Sequence, residues 1–196
     1  VIYSHWYPLF AFMLGTGERI SEVAGTVWED IDFENDEIRV KRQLNYRDYY
    51  DGKGSVFKIA ATKTEMGTRV IPMMTMVKDV LQEQYNMRRR DGGCDAVVDG
   101  VSNFVFYNRF GGPLYQGTVN QALKRIIKAY NTEEAEEAKK EKREALILPD
   151  FSCHYLRHTF CTRLCENTSD IKAIQTIMGH SDAQTTLNIY AEATKD

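Results

Sequence analysis

Apolar positions change rhythm along this chain. From His5 to Leu14 they are nearly continuous, which predicts a buried helix halted by Gly15-Thr16-Gly17. Ile20 to Val27 predicts a short second helix beginning near Glu18. Residues 37–43 and 56–60 then read as strands. Asp51-Gly52-Lys53-Gly54 forms a turn between them, and a tighter turn at Glu65-Met66-Gly67 lies between 61–64 and Thr68–Pro72. The region 37–72 is thus predicted to be one small antiparallel sheet.

Helical spacing returns afterwards. Thr75 is predicted to cap a helix to about Arg90, with Val77, Val80, Leu81 and Tyr85 on one face. Phe104–Tyr107 reads as a short strand. Thr118 is predicted to cap a helix carrying Val119, Leu123, Ile126, Ile127 and Tyr130, which runs into a charge-rich stretch, 133–144, read as an exposed helical extension or a loop. Ser152 should cap a helix through Cys165, Ser169 one from Asp170 to Met178 closed by Gly179, and a last helix should span Thr185–Ala193. The expected fold is α+β: mainly α-helical, with a small antiparallel sheet near the N-terminal third.

At 196 residues, 43% hydrophobic and 27% charged, the chain can bury a real core. It shows no internal repeat or separable linker, so residues 1–196 are read as a single domain. There is no leader-like segment and no apolar run long enough for a membrane, and four cysteines make no disulfide framework; together they point to the cytoplasm. The chain opens at Val1 directly into apolar sequence and is expected to be part of a longer protein. The net charge of −3 argues against a uniformly basic nucleic-acid binder. The charge is uneven, however. Between Arg39 and Arg69, eight Lys and Arg stand against three Asp and Glu, with Tyr46, Tyr49, Tyr50 and Phe57 among them. Such a strip can track a nucleic-acid backbone, although a solvated sheet face has the same composition.

The chemistry gathers near the C-terminus: His154, Arg157, His158, then Met178-Gly179-His180, then Tyr190. Arginine holds phosphate in a planar fork, histidine moves protons near neutral pH, and a tyrosine hydroxyl can attack covalently. Upstream, Arg19 and Glu22 lie three apart in Gly15-Thr16-Gly17-Glu18-Arg19-Ile20-Ser21-Glu22, sharing a helix face. A competing pattern is His154, His158, Cys161 and Cys165, which fall on one helical face in a spacing zinc could use. Ligands stacked along three turns cannot all reach one ion at about 2.0–2.3 Å, so these cysteines are read as core and no metal is expected.

Arg19 in its Gly-Thr-Gly-Glu-Arg-Ile-Ser-Glu setting, Lys63 on a hairpin, His154-x-x-Arg157-His158-Thr159-Phe160, Gly179-His180 and Tyr190 occur in one order. That order resembles the catalytic domain of the tyrosine recombinases, the phage-integrase family, and in particular the integrases of conjugative transposons. The resemblance implies a site-specific recombinase that cleaves and rejoins double-stranded DNA through a 3′-phosphotyrosine to integrate and excise a mobile element, without cofactor. It implies that Arg19 and Arg157 clamp the scissile phosphate and Lys63 protonates the leaving 5′ oxygen. His154 would assist as acid–base partner, His180 would donate to a phosphate oxygen, Tyr190 would attack, and Glu22 would support Arg19. His158 is read as a hydrogen-bonded core histidine. Arg42, Arg47, Lys58, Thr64 and Arg69 are the candidate DNA contacts, since the strands between Ile38 and Ile59 look longer than the family's minimal hairpin.

By the same resemblance, N-terminal core-binding and arm-binding domains would lie outside this span, and the tail after Tyr190 is short. A homotetramer on DNA is expected of the full-length protein, with a possible excisionase or DNA-bending helper, and a monomer of this span; a bacterial, nucleoid-associated location follows. Two alternatives remain at this level. One is a type IB topoisomerase, separable by relaxation of plasmid lacking a cognate site; the other is a non-catalytic DNA-binding module of recombinase descent.

Overall fold

The computed structural model describes residues 3–50, 52, 54–62 and 67–193. Helix α1, Tyr7–Thr16, is buried on most sides, as its continuous apolar sequence requires. It stops because Gly17 adopts φ 64° and returns its N–H to Met13 O at 3.0 Å. A Cβ at Gly17 would lie 2.2 Å from Phe160 Cδ1, so the glycine also lets a later helix close onto this corner. Arg19 then caps α2, Ile20–Gly25.

Two sheets replace the single predicted one. Strands β1 (Ile31–Asp32), β2 (Glu37–Val40) and β5 (Arg69–Pro72) form an antiparallel sheet in the order β1-β2-β5, with Ile38 opposite Ile71 and Val40 opposite Arg69. Strands β3 (Arg42–Asp48) and β4 (Ser55–Ala61) form a separate hairpin with Leu44 opposite Ile59 and Tyr46 opposite Phe57. The chain changes partner at Lys41 and Arg42, both of which pair with the buried carboxylate of Asp30. Leu44 is buried, and β3 packs against α2.

The remaining helices are α3 (Thr75–Asp91), α4 (Gln116–Glu141), α5 (Cys153–Asn167), α6 (Ile171–Met178) and α7 (Ala183–Ala193). Met74 and Tyr115, not Thr75 and Thr118, occupy the N-caps of α3 and α4. Ser152 sits at the N-cap of α5 without a side-chain cap bond. At α6 the cap is Asp170, whose carboxylate accepts from Ala173 N at 2.9 Å, one residue beyond the predicted Ser169. Phe104–Tyr107 forms isolated bridges to Val27 and Pro113 instead of a strand. The charged stretch 133–144 is helical through Glu141, and it has an inner side: Glu134 and Ala138 are buried, and the Glu134 carboxylate accepts from Arg143 and from Leu146 N.

The main core joins α1, α2, β2, β5, α3 and the first half of α4. A second apolar cluster, Cys161, Cys165, Ile174 and Met178, lies among α5, α6 and α7. Polar groups concentrate along the seam between the two. Among the described residues, no helix is long and apolar enough to cross a membrane.

Candidate active site

An eight-residue helix leaves several C-terminal carbonyls without intrahelical donors, at the negative end of its dipole. At the end of α6, Gly179 takes φ 62°, and the Gly179 and His180 amides return to Thr176 O and Gln175 O. The next three carbonyls each accept from a different arginine. Arg69 Nε donates to Ile177 O at 2.7 Å, Arg157 Nη2 to Met178 O at 2.6 Å, and Arg19 Nη2 reaches Gly179 O at 3.4 Å. Arg157 Nη1 also donates to Gly17 O at 2.7 Å, which ties α5 to the end of α1.

Glu22 organises the first and third guanidinium groups. Its carboxylate accepts from Arg19 N and Arg19 Nη1, both at 2.9 Å, and from Arg69 Nη2 at 2.9 Å. Burial pushes this carboxyl up, but the Arg69 hydrogen bond and charge, with Arg19 beside them, hold it below its ordinary value, so it stays ionised. The side chain of Arg69 is only 2% exposed, that of Arg19 37%. Of this pair, only Arg19 can therefore meet a phosphate.

Arg19, His154, Arg157 and His180 line one cavity of about 190 Å³, and its wall also includes His158, Cys161, Met178, Ser181, Asp182, Thr185 and Ile189. Burial, with Arg19 next, lowers Arg157 to about 10, which leaves it charged at neutral pH. His180 is buried, and its Nδ1 lies 2.9 Å from Thr186 Oγ1. Burial first, then Arg157, Arg19 and Arg69, lower it to about 4, so at neutral pH it is an uncharged imidazole. His154 is lowered by burial, then by His158, Arg157 and Arg19. The site thus offers two fixed cations and the uncharged His180 imidazole around one cavity, with the Asp182 carboxylate also on its wall.

A model of the phage integrase family matches residues 3–196. The chain belongs to the phage integrase family. The transposase of transposon Tn916 from Enterococcus faecalis is 35% identical over 194 residues, 99% of this chain and 44% of that protein. Tyrosine recombinase XerD of Corynebacterium glutamicum is 30% identical over 188 residues, 96% of this chain and 48% of the relative. A solved structure of the Tn1549 transposon integrase in complex with circular intermediate DNA superposes with a TM-score of 0.82 at 37% identity, over 100% of this chain and 58% of that one. The chain spans about half the length of the curated relatives it matches.

Of the residues singled out from the integrase pattern, Arg19, His154, Arg157 and His180 share the cavity, and Glu22 stands behind Arg19. Tyr190 is placed differently. It is on α7, half-buried in the cluster with Cys161, Cys165 and Met178, while Thr185 and Ile189 are the α7 residues on the cavity wall. Lys63 and Thr64 lie outside the described residues.

Three readings change. His158 is exposed on the cavity wall, edge-on to His154 with ring centroids 4.6 Å apart, and is no core histidine. One helical turn separates it from His154, so the two must share a face. Arg69 is buried against Glu22 and, unlike Arg157, is not on the cavity wall, so its place is not that of a surface DNA contact. Arg42 is held by Asp30 and Gly25 O under the hairpin. Arg47 and Lys58 are exposed, both against the Tyr49 ring at 4.7 and 4.4 Å from its centroid. Cys161 and Cys165 turn inward while His154 and His158 face out. Among the described residues, no group of three His, Cys, Asp or Glu could hold a metal.

Proposed function

We propose that residues 1–196 form the catalytic domain of a site-specific DNA recombinase that integrates and excises a mobile element. The observation that carries this reading is the cavity where Arg19 and Arg157, pinned by backbone carbonyls, face His154 and His180 beside the helix bearing Tyr190. Phosphodiesters repel anionic nucleophiles, so donors must be in place before attack. Arg19 and Arg157 hold two oxygens of the scissile phosphate and offset the charge that develops on them. Neutral His180, held by Thr186, donates to a phosphate oxygen.

A tyrosine hydroxyl must lose its proton to attack, and His154 is the cavity imidazole assigned to assist. The Tyr190 oxygen forms a bond to phosphorus, and the bond to the 5′ oxygen breaks. Lys63 supplies the proton to that oxygen. The product is a 3′-phosphotyrosine and a free 5′ hydroxyl. Attack by a 5′ hydroxyl reverses the step without ATP, because the covalent link keeps the energy of the broken bond. Tyr190 reaches the phosphate by a shift of α7, whose Thr185 and Ile189 already line the cavity.

The partner is double-stranded DNA, bound by a homotetramer of the full-length bacterial protein in the cytoplasm, at the nucleoid, with a DNA-bending or excisionase helper. The similarity to an integrase solved on circular intermediate DNA supports the DNA partner. The test is a duplex nicked near the cleavage point, which loses its 5′ product and cannot religate. Full-length wild type is expected to accumulate a covalent protein–DNA complex, and Tyr190→Phe none. Absence of the complex with wild type would refute the enzymatic reading.

A further inference from the structure

We propose that Arg69 is a positioning residue of the phosphoryl-transfer site, acting on Arg19 through Glu22; this rests on the recombinase reading above. Strand β5 alternates buried and exposed residues, and Arg69 shares its inward face with Ile71. A buried guanidinium needs partners for its donors. Arg69 finds them on three separate segments. Nη2 and Nη1 donate to the two Glu22 oxygens at 2.9 and 3.3 Å, Nε donates to Ile177 O at 2.7 Å, and Nη1 also reaches Gly67 O at 3.2 Å.

This one side chain therefore fixes α2, the end of α6 and the start of β5 relative to one another. Two of those segments, α2 and the end of α6, lead to the cavity. Glu22 orients Arg19, and the α6 carbonyls that follow Ile177 receive Arg157 and Arg19 before the chain continues into His180. Gly67 follows in sequence the segment that carries Lys63. The fork geometry matters more than the charge. Lysine in place of Arg69 keeps the cation but cannot bind both carboxylate oxygens and the Ile177 carbonyl from a fixed plane. Glu22 would then rotate, and the Arg19 guanidinium with it.

The experiment is single-turnover cleavage of a nicked duplex carrying the element's own end sequence by full-length Arg69→Lys protein, with DNA affinity and thermal unfolding measured alongside. Arg69→Lys is expected to slow cleavage by about ten-fold or more while DNA affinity stays within about two-fold, since loss of alignment raises the barrier without removing ground-state binding. In an Arg19→Ala background the same substitution is expected to slow cleavage by less than about two-fold, because the residue it acts through is gone. A wild-type rate for Arg69→Lys, or the full loss repeated in the Arg19→Ala background, overturns the proposal. So does a matching loss of DNA affinity, which would make Arg69 a binding residue.

If Arg69→Lys does not fold, Arg69→Gln, which leaves Glu22 with its Arg19 partner and keeps a neutral amide donor in place of the guanidinium fork, is the variant to measure. A wild-type rate there overturns the proposal; a loss of ten-fold or more at unchanged affinity supports it. Failure of the recombinase reading is distinct, because wild-type protein would then form no covalent complex at all.

Discussion

Arg157 and Arg69 at the end of α6, and Arg47 and Lys58 on the β3–β4 hairpin, carry the same charge under opposite conditions. The first pair is buried, and each guanidinium spends its donors on backbone carbonyls or on Glu22. The second pair is exposed and rests on the Tyr49 ring. Of the residues counted with the basic strip by composition, Arg69 is buried on Glu22 and Arg42 is half-buried on Asp30. Cationic residues near a phosphate site thus do two jobs. Arg69 belongs to the rigid frame, Arg157 is both part of that frame and on the cavity wall, and the exposed hairpin pair is free to meet a longer stretch of backbone. A rigid frame suits a reaction whose transition state gains charge, because donors fixed beforehand need not reorganise.

The largest effect that would break this contrast is at Arg157. Arg157→Ala removes a proposed phosphate donor and leaves Gly17 O and Met178 O without their partner. Cleavage of the nicked duplex is expected to fall by about a hundred-fold or more, and thermal unfolding should show a destabilised seam between the two apolar clusters. An Arg157→Ala protein that cleaves at close to the wild-type rate would remove the clamp from the mechanism.

Next comes the acid beneath the clamp. Glu18 is fully buried, with Oε1 lacking a hydrogen-bond partner. Burial, then the charge of Glu22, raises its carboxyl from 4.5 to about 8. Between those values the folded protein keeps a proton that the unfolded chain has released, so stability falls as pH rises through this window. His180 acts in the opposite sense, being lowered, and its contribution is lost as pH falls. Comparing Glu18→Gln with wild type isolates the acid. The variant's unfolding free energy should gain on wild type steadily from pH 5 to pH 8, with a difference on the order of a few kcal/mol at the upper end. A pH-independent difference would mean Glu18 is ionised throughout.

The smallest effect sharpens the exposed side. Arg47→Gln with Lys58→Gln should leave melting unchanged and flatten the slope of log affinity against log salt by roughly one for each phosphate the pair neutralises. Arg42→Gln should do the reverse, leaving the slope alone and costing about 1 kcal/mol of stability, since the buried Asp30 carboxylate loses its half-buried guanidinium partner and keeps only Lys41. An unchanged slope for the hairpin pair would take DNA binding away from that hairpin.

Much of this was legible from the sequence, and the misses have identifiable physical causes. The helices were visible because each carries an apolar stripe or run and ends in a residue suited to ending it, such as Gly17 or Gly179. Their N-termini were less legible, because Met74 and Tyr115 cap α3 and α4 with backbone geometry alone. The split of the sheet had no local signal, since Lys41 and Arg42 turn toward Asp30, which lies ten residues and more away. Two misassigned residues did carry one. Period two places Arg69 on the face of Ile71, and a helical turn places His158 beside His154.

The order and identity of Arg19, Lys63, His154, Arg157, His180 and Tyr190 are properties of the sequence, and they suffice for the family and the class of chemistry it implies. What only the tertiary structure decided is which cations face the cavity and which support it. That is a matter of burial and of hydrogen bonds between residues as far apart as Gly17 and Arg157, or Arg69 and Ile177. The free energy of a guanidinium depends on whether its donors meet water, a phosphate or a carbonyl, and the chain reveals this only when its ends are brought together.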